Sequence, residues 1–309
     1  MTPATRPTLL CFAACLWSAT AAALSPESIA KNQPVAPFRI AGDIYYVGAS
    51  DVTSYLIVTP EGMLLLDGGF AETAPMIEAN IAALGFRLKD VKVLLNGHAH
   101  PDHAGGLAKL KADSGAEFEA MAQEVRPLEH AGQGTFYRGD RHLFDSIRVD
   151  RVLHDGDTVS LGGVTLTAHL TAGHTPGCTT WTTDVSDGGK SYPVVFACQT
   201  TLPDKISGNP LYPDAARDFA RSFRILAGLP CEVFLAEHGS SFDLSGKLAR
   251  LRAAKPGDPN PFIDPHGYRD FVAQSRRAFE TQLQAEQATA PAPAPGPSHI
   301  PVLYLLGPT

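Results

Sequence analysis

Cysteine is scarce in this chain, and no basic block occurs anywhere along it. Of five cysteines, Cys11 and Cys15 fall in an apolar N-terminal run, which leaves Cys178, Cys198 and Cys231 in the body of the chain. Three cysteines close at most one internal disulfide, so disulfides do not build this fold. The net charge is −7, with acids and bases interspersed. That balance speaks against nucleic acid as a partner. No internal repeat is present either. What remains is 309 residues, 44% of them hydrophobic, which is enough to bury a sizeable core.

The first residues read as an address. "MTPATRP" carries Arg6 and no acid, and "TLLCFAACLWSATAAA" is apolar but too short to span a bilayer. Ala21, Ala22 and Ala23 offer small residues for cleavage before Leu24. Residues 1–23 are therefore expected to be a signal peptide, residues 24–285 one domain, and residues 286–309 an Ala/Pro-rich disordered tail. A lipoprotein signal ending at Cys15 fits less well, because the apolar run continues past it. The expected location is the periplasm, with no membrane contact after cleavage, as a monomer.

Strand patterns at "IYYVG", "SYLIVT" and "MLLLDGG" precede a helix on which Met76, Ile77, Ile81 and Leu84 recur at helical spacing. Strand "VKVLL" follows, then a helix from about Ala104, strand "EFEAM" and a helix ending near His130. Residues 131–150 form a long irregular loop, a kind of segment that is often functional. A second block runs through "RVLH", "TVSL", "VTLTAHL", "TTWTT" and "PVVFA". It continues with helix "AARDFARSFRILAG", strand "EVFLA" and helices "LSGKLARLRA" and "FVAQSRRAFETQLQ". Two successive blocks of strands and helices suggest two sheets with helices outside, in a single domain. The turn "SDGG" makes "TTWTT" and "PVVFA" a hairpin and puts Cys178 nearly opposite Cys198.

Chemistry concentrates in "HAHPDH", three histidines and an aspartate in the six positions from His98 to His103. On an extended segment alternate side chains share a face, so His98, His100 and Asp102 point one way and His103 another. Pro101 argues against a helix there. The pattern suits two adjacent metals, one on His98 and His100 and the other on Asp102 and His103. The alternative is a polar loop that happens to be rich in histidine. His174 in "TAGHTPG" and His238 in "LAEHGSS" stand at strand ends, where a scaffold presents site residues rigidly. They complete two three-ligand sets, and three ligands with one open position is the catalytic zinc arrangement.

"HAHPDH", "GHTPG" and "EHG", with "LLLDGG" upstream, resemble the metallo-β-lactamase superfamily over about residues 40–280. The resemblance implies an α/β fold, a four-layer αβ/βα sandwich of two mixed β-sheets with helices on the outer faces. In many relatives an aspartate after a later strand bridges the metals. Here "PVVFA" is followed by "CQTT", with no carboxylate. The set His98, His100, His174 with Asp102, His103, His238 resembles class B β-lactamases of subclass 3.

That likeness implies two zinc ions (Zn2+) per chain, a β-lactam small molecule as substrate, and hydrolysis of its amide bond by zinc-activated water. Penicillins, cephalosporins and carbapenems are the substrate class, and antibiotic resistance the consequence. Asp102 is the catalytic residue, ligating zinc and orienting the attacking hydroxide. Asp67 either accepts an N–H from a ligand histidine or is a plain turn aspartate before Gly68 and Gly69. Thr200 and Thr201 either meet the substrate carboxylate or are ordinary loop polarity. Gln133, Thr135, Phe136 and Tyr137 are candidate pocket walls.

In one branch of the family a cysteine near Cys198 binds zinc; here that site already has three ligands, so Cys198 is expected to face Cys178 without touching metal. A zinc lactonase or thioesterase, or a non-enzymatic zinc-binding protein, are the alternatives. The Ser-x-x-Lys spacing of Ser28 and Lys31 lacks the companion motifs of a serine β-lactamase. His130, His142, His154, His169, His266 and His299 read as ordinary histidines, with His169 a possible outer contact.

Overall fold

Unbroken apolar runs suit strands that are covered on both faces. The computed structural model, which describes residues 25–133 and 143–289, places two such runs at the centre of a sheet. That sheet has seven strands in sequence order: β1 (Phe38–Ala41), β2 (Ile44–Tyr46), β3 (Tyr55–Thr59), β4 (Gly62–Leu66), β5 (Val91–Leu95), β6 (Glu117–Met121) and β7 (Arg151–Leu153). Neighbours are antiparallel from β1 to β4 and parallel from β4 to β7. The second sheet runs β12 (Val233–Ala236), β11 (Lys190–Ala197), β10 (Thr179–Asp187), β9 (Val164–Leu170), β8 (Thr158–Leu161). Only its β11–β12 pair is parallel.

Strand β4 shows why "MLLL" can be apolar throughout. Leu64 and Leu66 enter one core cluster with Leu95 of β5 and with Trp181 and Phe196 of the second sheet. Met63 and Leu65 point the other way. They join a second cluster with Ile77 of α2 (Ala74–Ala83), Leu107 and Leu110 of α4 (Leu107–Ser114) and Leu128 of α5 (Ala122–Glu129). Phe219 and Phe223 of α6 (Ala215–Gly228) and Phe279 of α8 (Gly267–Thr289) pack with the second sheet. Two mixed sheets with helices outside form the expected four-layer sandwich. Each fully buried Leu, Ile or Phe contributes roughly 1.5–3 kcal/mol, so the strand ends that carry the site rest on a rigid base.

The helix α6 and the helix α7 (Leu244–Ala253) span the residues their periodicity predicts. Helix α8 continues to Thr289, so residues 286–289 are helical where a disordered tail was expected. Glu286 explains the extension: its carboxylate accepts the backbone N–H groups of Ile206 (2.9 Å) and Ser207 (2.6 Å) and ties the last turns down. The signal segment 1–23, the rest of the tail, and the loop residues Thr135, Phe136 and Tyr137 lie outside the described residues. Among the described residues no helix is long and apolar enough to cross a membrane.

The β10–β11 hairpin closes on Gly188 and Gly189, both at positive φ (59° and 80°), which is the backbone a two-residue hairpin turn requires. Its last ladder pair at the open end is Trp181 with Phe196. Beyond it Cys178 and Cys198 meet as a disulfide, with Cα atoms 5.9 Å apart. Cys231 is the free cysteine among the described residues.

Candidate metal centre

Every candidate ligand follows the end of a strand or sits in the turn next to one. After β5 the chain passes through Asn96, bends at Gly97 and again at Ala99, and reaches His100 with φ and ψ of −95° and 155°. There the expectation of one continuous extended segment fails. Pro101 opens a helical turn, α3 (Pro101–Ala104), with His100 as its N-cap. Proline suits the first helical position because its missing N–H would have no partner there and its φ is already helical. Asp102 and His103 therefore leave the axis of His98 and His100 by a change of backbone, not by strand alternation. The grouping nonetheless follows the expected division.

In the first set, His98 Nε2 lies 3.0 Å from His100 Nδ1, and His174 Nε2 lies 3.1 Å from that same nitrogen. In the second set, Asp102 Oδ2 is 3.4 Å from His103 Nε2 and 3.5 Å from His238 Nε2. Within each set the ligand atoms lie within 4.8 Å of one another.

The far side of most rings is anchored. His98 Nδ1 bonds Glu237 Oε1 (2.9 Å), His174 Nδ1 bonds the Thr201 carbonyl (2.9 Å), and His238 Nδ1 bonds Asp51 Oδ2 (3.0 Å). An imidazole that donates from Nδ1 presents a lone pair at Nε2. Two such lone pairs, from His98 and His174, converge on His100 Nδ1, which can offer them at most one hydrogen. A cation satisfies all three. In the second set both ring nitrogens of buried His103 have no hydrogen-bond partner among the described residues, and Nε2 faces Asp102. The donor sets fit a divalent metal such as zinc, which takes imidazole nitrogen and carboxylate oxygen.

Charge follows the same pattern. Burial pulls His98 well below the usual imidazole range, and burial also lowers His174, to about 4. Both are thus held in the neutral form that ligates. Burial alone would raise Asp102, but His103 and His238 outweigh it and hold the carboxyl well below its ordinary value. Burial likewise opposes protonation of His238, and the carboxylates of Asp102 and Asp51 more than offset it. Asp51 itself is held down to about 2: burial raises it, and the bonds from His238 and from the Ser240 N–H lower it further.

Of the two expected readings of Asp67 the turn residue is the one observed, and among the described residues no ligand histidine donates a hydrogen bond to it. It is a turn residue at φ 64°, a conformation an aspartate tolerates, and it accepts from Gly97 N (2.8 Å) and Asn96 Nδ2 (3.1 Å). Its other oxygen lies 3.6 Å from His103 Nδ1, an ion-pair distance longer than a hydrogen bond. Asp51 and Glu237 were not singled out from sequence. Glu237 had a visible signal: an acid directly after the fully buried strand β12, itself only 6% exposed. A Cβ on Gly97 would run into its carboxylate, which is why the position before His98 is glycine. His169 pairs with Thr182 (2.8 Å) on the second sheet and takes no part.

A cleft of about 400 Å³ opens over both sets. His100, Asp102, His174 and His238 face it, with Phe70, Gln199 and Thr201. Thr200 turns away: its hydroxyl donates to Ser275 Oγ (2.9 Å) and lines a separate groove. Helix α1 (Pro26–Lys31) forms another wall. There Lys31 pairs with Glu27 (2.7 Å) and Ser28 with Ser25 (2.9 Å), so the Ser-x-x-Lys spacing does not assemble a lysine-activated serine. Cys198 is committed to Cys178, although its sulfur lies 3.8 Å from His98 Nδ1. Cys198→Ser is therefore expected to keep the full metal content. It should lose about 3 kcal/mol of stability, the loop-closure value for a 20-residue separation. Metal analysis beside a denaturant titration checks this, and loss of a metal would make the thiolate a ligand.

Residues 47–238 match the profile of the metallo-β-lactamase superfamily. Among solved structures, the FEZ-1 metallo-β-lactamase of Legionella gormanii is 41% identical at a TM-score of 0.80, covering 84% of this chain and 99% of that one. BJP-1, a subclass B3 metallo-β-lactamase of Bradyrhizobium japonicum, is 36% identical at 0.76, covering 84% and 97%. A probable metallo-hydrolase of Burkholderia pseudomallei is 32% identical over 162 residues, 51% of this chain and 54% of that protein, so the match spans about half the length of that relative. A hydroxyacylglutathione hydrolase of Hyphomonas neptunium is 34% identical over 87 residues, 28% of this chain and 27% of that protein. By this profile match and these structural likenesses, the chain belongs to the metallo-β-lactamase superfamily, with subclass B3 enzymes among its structural neighbours.

Proposed function

We propose that this metallo-hydrolase opens the amide bond of β-lactam antibiotics using two zinc ions, one held by His98, His100 and His174 and the other by Asp102, His103 and His238. Bound zinc would polarise a carbonyl and lower the pKa of a coordinated water to about 7. The protein supplies the rest. Glu237, Thr201 and Asp51 hold the Nδ1 side of three ligand rings, so that Nε2 of each is the atom turned to the metal. Asp102, the one carboxylate of the two sets, faces the cleft and stays ionised, so it can accept a hydrogen bond from the attacking water and aim it. In the cleft the Thr201 hydroxyl donates to Gln199 Oε1 (2.9 Å), which leaves the Gln199 side-chain NH2 as the donor for the carboxylate such substrates carry.

The observation that carries this reading is the pairing of the two side-chain sets with close likeness to β-lactamases over nearly their whole length. A thioesterase reading, suggested by the hydroxyacylglutathione hydrolase, is opposed at the position after β11. The disulfide-bonded Cys198 stands where a bridging carboxylate would be needed. The periplasm, reached through the segment 1–23, is the matching location. The test is hydrolysis of a carbapenem, a lactone and a thioester side by side, with and without a chelator. Carbapenem turnover that chelation abolishes and zinc restores is the expected result. Lactone or thioester turnover without β-lactam turnover would overturn the substrate class.

A further inference from the structure

Glu124 of α5 lies outside both ligand sets, is 2% exposed, and has no ion-pair partner among the described residues. Its carboxylate instead takes three hydrogen bonds from two separate loops. Oε2 accepts the backbone N–H of Ala99 (2.8 Å), the residue between His98 and His100. Oε1 accepts the Thr175 hydroxyl (2.6 Å) and the Gly177 N–H (2.8 Å), next to His174. Gly177 is glycine for the same reason as Gly97: a Cβ there would lie 2.6 Å from the Glu124 side chain. All three ligands of the first set thus belong to two loops that one buried carboxylate joins. Among the described residues no bond of Glu124 reaches the loop that carries His238.

We propose that Glu124 is a positioning residue for the first metal, clamping the His98–His100 loop to the His174 loop so that three imidazoles converge before metal arrives. This rests on the reading that those three histidines hold a metal. A carboxylate suits the task because it only accepts, with room for three donors. Glutamine has the same shape but must turn an NH2 toward at least one of those donors. Preorganisation of this kind through outer contacts is worth 10–100-fold in metal affinity.

The test uses the full chain stripped of metal and titrated with zinc against a chromophoric chelator. Glu124→Gln is placed in a His238→Ala background, where the first set alone is intact, and in a His98→Ala background, where the second is. The first-site constant is expected to weaken about 10–100-fold while the second stays put. Hydrogen exchange on the metal-free protein supplies the other readout. Amides of Ala99 and Gly177 should lose protection in Glu124→Gln, while the Gly97 amide, bonded to Asp67, keeps it. Should Glu124→Gln fail to fold, Thr175→Val removes one arm and should weaken the first site about fivefold, the value of one ordinary hydrogen bond. An equal fall at both sites would reduce Glu124 to general stability. So would an unchanged first-site constant in a folded variant whose amides have lost protection. Wild-type protein that takes up no zinc would overturn the metal reading itself.

Discussion

Purified His98→Ala is expected to carry about one zinc in place of about two, and His238→Ala the same, each from a different site. The loss of kcat/KM should exceed the roughly 10–100-fold seen when only an outer partner of a ligand is removed. The two variants differ in what is left behind. Removing His98 empties a fully buried position and leaves Glu237 Oε1 without its ring partner. The cost in stability is accordingly about 1–3 kcal/mol, the penalty for a stranded buried acceptor. Removing His238 frees Asp51, whose other oxygen keeps its 2.7 Å bond from the Ser240 N–H, so the fold should suffer less. Metal analysis and denaturant titration of both variants check this. Two retained zincs and full activity in His238→Ala would show that the second set is wrongly drawn.

The legible part of the site was the part encoded by local spacing. Ligands recur at strand ends, and strand ends can be read from apolar runs such as Val91–Leu95 and Val233–Ala236. Helices α6 and α7 were legible because their apolar positions repeat every three to four residues and breakers bound them. The backbone at Pro101 was misread because proline has two opposite meanings: it breaks a helix from inside and starts one at the first position. Which applies depends on whether the preceding residue, His100, is an N-cap, and that is set by packing around His103 and Ala104, both buried.

The anchors were illegible for a different reason. Asp51, Glu237, Glu124 and the Thr201 carbonyl come from four separate segments, and they acquire their meaning only when the sheets close. An isolated acid carries no label for the ring it will hold. Thr200 shows the converse, since one step along the chain separates a cleft residue from one that bonds Ser275 on α8.

Asp102→Asn is expected to lower kcat/KM by about 10²–10⁴-fold, the usual worth of a positioned general acid–base group. Asparagine keeps the size and the first-turn position after Pro101, so α3 should survive. What changes is charge. A single carboxylate oxygen, Asp102 Oδ2, lies between His103 Nε2 and His238 Nε2, and it brings the only negative charge among the six proposed ligands. Its loss weakens attraction for a dication and leaves the two buried rings facing a neutral group. Second-site affinity should therefore fall as well, and two effects are superimposed in the rate. Measuring kcat at rising free zinc separates them. If Asp102 only ligates, saturating zinc returns kcat to the wild-type value. If it also aims the attacking water, as its exposure to the cleft indicates, most of the deficit persists at full occupancy, because an amide presents an N–H2 where the water needs an acceptor.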